Sequence, residues 1–225
     1  MKSFGRTVRT SMRLTLFLSV PAAVGLAVLA RPIIGLIYQH GHFSARDADM
    51  TALALQAYAV GLAGYAAIKV LTPCFYALNQ PRTPLRISLI AIGVNLALNF
   101  INTVVLHWGH AGLALAVSCV ALVNFGQLSA ALSRQVDFGG LREWAGFVGR
   151  VLLAAAVCGG VAFELHALAD QTLHGFVLRA LGLFVAIGAA VGVYFGAAHA
   201  LRIRETTELI GAVSRRVLRR RPAPA

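Results

Sequence analysis

The chain has 225 residues, 58% of them hydrophobic and only 12% charged, with a mean hydropathy of +0.75. That composition is too apolar for a soluble domain of this length and places the chain in a bilayer. The formal net charge of +12 would suit a nucleic-acid binder, but the basic residues sort by loop instead of gathering on one polar face, which excludes that partner.

Six segments are long enough to cross a hydrocarbon core of about 30 Å as helices. They cover 14–38, 51–78, 85–106, 111–132, 147–168 and 177–201, so the fold class is all-α, a polytopic membrane helix bundle. A basic segment, 1–13, precedes them and a basic tail, 202–225, follows. All of the basic residues except Arg31, Arg46, Lys69 and Arg179 fall at one end of this alternation. The positive-inside rule makes that end, with both termini, cytoplasmic. The first segment also has the outline of a secretory signal ending at Val28-Leu29-Ala30. Pro32 just beyond the cut, and the apolar run on to Tyr38, argue for a retained span.

In the second span Lys69 sits among apolar residues, with Pro73 one turn later. A charge at membrane depth faces a bundle interior or a water-filled cavity, or else snorkels to the headgroups. Ten residues of helix to Asn79 amount to about 15 Å, more than a lysine stem covers, so snorkelling here needs a kink at Pro73. The turn after it, Asn79-Gln80-Pro81-Arg82-Thr83-Pro84, cannot continue the helix, and Pro84 suits the first turn of the next. Pro73, Gln80, Pro81, Arg82 and Pro84 are therefore the candidate kink and gate residues.

Asn95, Asn99 and Asn102 share a face of the third span, and Asn124 and Gln127 lie three apart on the fourth. Membrane-embedded amides need partners, so these either bond between helices, at about 0.6 kcal/mol each, or wall a hydrated cavity with Lys69. In the last span Gly188, Gly192 and Gly196 have the four-residue spacing that brings helices close, or that leaves a groove for a lipid tail.

The remaining polar residues say less. Cys74, Cys119 and Cys158 fall in spans and read as free thiols. Six of the seven histidines lie towards the outer face, in three separate loops, and read as interfacial side chains; no metal site and no cofactor is expected. Glu164 and Asp170, near the outer end of the fifth span, are candidates for proton coupling only by default. The tail places Leu209, Ile210, Val213, Val217 and Leu218 at near-helical spacing among arginines, either as an inner-leaflet helix or as a solvated basic tail. No nucleophile constellation, phosphate loop or zinc motif occurs.

Several of these stretches together resemble the MurJ (MviN) family of lipid II flippases: Arg31 to Tyr38 with Gly41-His42-Phe43-Ser44, Lys69 to Ala77 with Arg82-Thr83-Pro84, then Asn95, Asn99, the Gly112-Leu113-Ala114-Leu115-Ala116 run and Asn124. The resemblance implies a bacterial inner-membrane protein of the MOP superfamily (MATE-like) that carries the undecaprenyl-linked peptidoglycan precursor between leaflets. It also implies that this chain corresponds to the last six of about fourteen spans, a C-terminal fragment or split half that works with a missing N-terminal lobe. Some members are thought to bind sodium near the positions of Asn95, Asn99 and Ser118, but an acidic ligand is common there and Asn99 is neutral. Gln80 departs from the aspartate usual before the Thr-Pro turn. Two rivals share the same reading of the residues: an exporter of other lipid-linked polysaccharides or of drugs, and a non-transporting scaffold or gene remnant.

Overall fold

The computed structural model describes residues 2–38, 44–137, 139–172 and 175–207. Its helices are α1 (Lys2–Val28), α2 (Ala30–Tyr38), α3 (Ala45–Ala77), α4 (Arg82–Ile101), α5 (Gly109–Ser133), α6 (Leu141–Thr172) and α7 (Phe176–Ala200). A short π-helical turn, Asn102–Leu106, prolongs α4. Among the described residues six helices are long and apolar enough to cross a membrane, each of 25 residues or more. The tail beyond residue 207, including the leucines and valines at helical spacing, lies outside the described residues, as do His40, His42 and His174.

Local chemistry explains the helix ends. At Leu29 the chain turns between α1 and α2, yet the helical bonds Leu29 N–H to Gly25 O (2.9 Å) and Ile33 N–H to Leu29 O (3.0 Å) persist. Pro32, which has no N–H to donate, loosens the ladder at that bend. The helix α3 starts well before the apolar run because Ser44 and Asp47 form a reciprocal capping box. There the Asp47 amide donates to Ser44 Oγ (3.2 Å) and the Ser44 amide donates to Asp47 Oδ2 (3.0 Å). Its 33 residues make a rod of about 50 Å. At the other end the chain leaves the helix through Asn79, whose φ of 55° is left-handed.

The helices pack in the spatial order α7, α6, α1, α3, α5, α4, with α2 set against α3 and α7. Sequential neighbours α3 and α4 barely meet, because α5 is wedged beside α3 and α4 lies on its far flank. The α3–α5 crossing is the closest: a β-carbon at Gly61 would stand 2.7 Å from Ser118 Cα, and one at Gly64 would stand 3.3 Å from the Ala121 carbonyl. At the same crossing Ser118 donates its hydroxyl to the Ala57 carbonyl at 2.6 Å. Gly188, Gly192 and Gly196 have no such neighbours, so the packing expected of that row does not occur within the described residues; Gly159 on α6, facing Val24 of α1, is closely packed instead.

Packing is unequal along the bundle. The large side chains Met12, Phe17, Leu71, Phe75, Leu132 and Phe147 of the main core are fully buried in the half of the bundle nearer the basic end. Tyr194 of α7 crosses this core to donate to the Phe17 carbonyl at 2.6 Å, and stacks at a tilt against the Phe17 ring. At the far end a separate small cluster holds Ala30, Ile34, Ala48 and Ala52.

Candidate functional site

Lys69 lies on the exposed side of α3, away from α1 and α5. It does not stand alone there. Tyr58, Tyr65 and Tyr76 are exposed as well, and from Tyr58 the offsets to Tyr65, Lys69 and Tyr76 are 7, 11 and 18 residues. At about 100° per residue those offsets all return to within about 20° of one line. The face is thus a stripe of three phenols and one ammonium, uncovered by the other described residues and with Pro73 exposed beside it. The tyrosines escaped the sequence reading, although their spacing from Lys69 was the signal that could have revealed them.

The amides lie on α4 and α5. Asn95 and Asn99 are half-buried on α4, where Asn99 Nδ2 donates to Asn95 Oδ1 at 2.9 Å. Asn102 is buried at the hairpin between α4 and α5 and donates to the Gly109 carbonyl at 3.2 Å, tying that turn. Asn124 and Gln127 are half-buried on α5. The Oδ1 atoms of Asn99, Asn102 and Asn124 are buried and accept no hydrogen bond among the described residues. A buried amide oxygen without a donor costs about 1–3 kcal/mol, so these three oxygens call for water, a hydroxyl or a further helix. Ser118, grouped with Asn95 and Asn99 as a cation site, directs its hydroxyl to the α3 backbone. Asn95 Oδ1 accepts from Asn99, and Asn99 Oδ1 is the buried oxygen of the set without a donor among the described residues.

At the basic end the gate residues form a clasp. Gln80 and Gln135 exchange two amide hydrogen bonds, of 2.9 and 2.8 Å, joining the α3–α4 turn to the segment after α5. Pro81 caps α4 at its start, Arg82 is the first residue of that helix, and Pro84 is buried in the first turn. The missing charge at Gln80 thus has a structural counterpart: two neutral amides pair where a carboxylate could only accept. Charge is neutralised nearby, with Arg9 paired to Glu143 and Arg13 to Glu205.

Comparison with known proteins now bears on this arrangement. A family model described as "Lipid II flippase MurJ" matches residues 1–183. The chain belongs to the MurJ family. It is 34% identical over 202 residues to a probable lipid II flippase MurJ of Vibrio cholerae, covering 89% of this chain and 38% of that relative. The corresponding protein of Rhizobium tropici is 34% identical, over 96% of this chain and 40% of its own length. The lipid II flippase MurJ of Burkholderia cenocepacia is 32% identical, over 82% and 36%. A solved structure, "Lipid II flippase MurJ, inward closed conformation", superposes with a TM-score of 0.66 at 22% identity, covering 86% of this chain and 40% of that one. The fold is therefore that of a MurJ segment, and the chain spans about 40% of the length of the relatives it matches.

Proposed function

We propose that this chain is the C-terminal part of a lipid II flippase of the bacterial inner membrane, forming one wall of the path along which the undecaprenyl-linked peptidoglycan precursor crosses. The basic end is cytoplasmic in this reading, as the distribution of arginines requires. The work is transport, with no bond made or broken. Alternating access needs two bodies that rock about a shared site, and six helices supply one of them. The second body is an N-terminal lobe corresponding to the part of the relatives that this chain does not span.

One observation carries the reading: Lys69 with its tyrosine stripe lies on an uncovered face of a long apolar helix. Lipid on that face would leave an ammonium in hydrocarbon, which costs about 2.5–3.5 kcal/mol at a helix centre. A hydrated cavity between two lobes removes that cost and gives the ammonium an anionic diphosphate to meet, while the phenols hydrogen-bond to sugar or phosphate. Asn99 and Asn124 offer open amide oxygens to the same path or to the partner lobe.

In cells depleted of their own flippase and expressing this chain beside an N-terminal lobe, Lys69→Ala is expected to lower lipid II export at least about tenfold, as loss of one charge-assisted contact of roughly 1.4 kcal/mol or more implies. Lys69→Arg should retain a substantial part. Export by Lys69→Ala equal to that of the parent chain, at equal membrane levels, would remove Lys69 from the path.

A further inference from the structure

At the far end, a cavity of about 720 Å³ opens between α2, α6, α7 and the first turns of α3. Its polar lining consists of Arg31, His166, Asp170 and Arg179. Arg31 pairs through Nε with Asp49, and its other N–H groups have no partner among the described residues. Arg179 stands 3.6 Å from Asp170, and both are more than half exposed. His166 Nδ1 is buried without a hydrogen-bond partner among the described residues.

Directly below lies a second cavity, of about 360 Å³ and almost wholly apolar, lined by Leu26, Leu29, Ile33, Ile187 and Val191 among others. The two adjoin along the chain. Val28, Pro32 and Phe163 line the upper one, while their chain neighbours Leu29, Ile33 and Ala162 line the lower. They set a charged mouth beside an oily floor, each within the size range of real ligand sites.

We infer that this cleft seats a bilayer phospholipid with a phosphoethanolamine head, its phosphate between Arg31 and Arg179, its ammonium at Asp170 and one acyl chain along the apolar floor. The sign pattern decides the head. The pairs Arg31–Asp49 and Arg179–Asp170 leave the mouth without net charge, which suits a zwitterion, whereas a purely anionic head would bring an unbalanced negative charge. His166 supplies a further donor to the phosphate. The ammonium must carry N–H groups to bond Asp170, so a choline head fits less well. The site stands apart from the Lys69 face and does not depend on which substrate is transported.

The test is native mass spectrometry of the purified chain titrated with mixed micelles containing phosphatidylethanolamine, phosphatidylglycerol or phosphatidylcholine. Phosphatidylethanolamine should bind about five- to tenfold more strongly than either of the others, the span of one charge-assisted hydrogen bond. R31Q combined with R179Q should erase that excess, whereas R202Q at the opposite end should leave it intact. D170N tests the head's polarity without disturbing the arginines: it should abolish the preference over phosphatidylglycerol while still binding lipid. Equal or stronger binding of phosphatidylglycerol by the parent chain would overturn the proposal, and so would an unchanged preference in D170N.

Discussion

Gly61→Val is expected to destabilise the bundle by about 3 kcal/mol, at the upper end of what overpacking normally costs. The added side chain would start 2.7 Å from Ser118 Cα, which is backbone and cannot swing aside, so α3 and α5 must separate. Separation also strains the bond from the Ser118 hydroxyl to the Ala57 carbonyl, and it does so at the most intimate helix contact in the fold. Gly188→Val is the matched control, because a β-carbon there meets nothing within 4 Å. Thermal melting of the purified chain in detergent should show a clear fall for the first variant and almost none for the second. Equal shifts for the two would mean that the α3–α5 crossing is not held as described.

The second large effect concerns the basic end. Glu205→Ala is expected to cost about 3 kcal/mol, because removing one partner of a buried ion pair leaves the other charge without compensation. Arg13 and Glu205 retain only 17% and 7% of their side-chain exposure. Their second contact, Arg13 Nη2 to Glu205 Oε2, is 3.3 Å, and the guanidinium also lies 4.3 Å from the centre of the Phe147 ring. The pair thereby fastens the segment after α7 to α1 and α6. Arg13→Met combined with Glu205→Leu should recover most of the loss, since an apolar pair of similar volume avoids the stranded charge. The Arg9–Glu143 pair is far more exposed, at 35% and 58%, and Glu143→Ala should cost no more than about 1 kcal/mol. Urea or detergent titration of the three variants orders these effects, and a Glu205→Ala loss no larger than that of Glu143→Ala would contradict the account.

These two cases also mark what the amino-acid sequence could and could not reveal. Six spans were readable because hydropathy over a long window is a local property, and the alternation of arginines added an independent check. The capping box that starts α3 at Ala45 was readable in principle from Ser44 and Asp47, but the apolar run drew attention to a later start. Gly61 and Gly188 show the limit of spacing arguments. Both belong to four-residue small-residue patterns, and only the tertiary neighbour decides which one is a contact. Arg13 and Glu205 are 192 positions apart, so no local pattern could pair them. Gln80 looked like a lost charge until Gln135, 55 positions away, supplied its partner.

The candidate site divides in the same way. Lys69 stood out because a charge in an apolar run is anomalous wherever the helix ends up. The tyrosines beside it are unremarkable one at a time and become a stripe only once α3 is known to leave that face bare. Asn102 looked equivalent to Asn95 and Asn99 by spacing, yet the hairpin buries it against Gly109 while the other two bond to each other. For the asparagines, position along the helix was legible and environment was not.

The central claim is that this chain is one lobe of a two-lobed lipid II flippase, and outer-leaflet lipid II is the quantity that tests it most directly. In flippase-depleted cells, lipid II reachable by an externally added probe would be measured with the chain alone, with an N-terminal lobe alone and with both. The account predicts restored outer-leaflet lipid II and growth only when both are present. No restoration by the pair, with both lobes confirmed in the membrane, would contradict it.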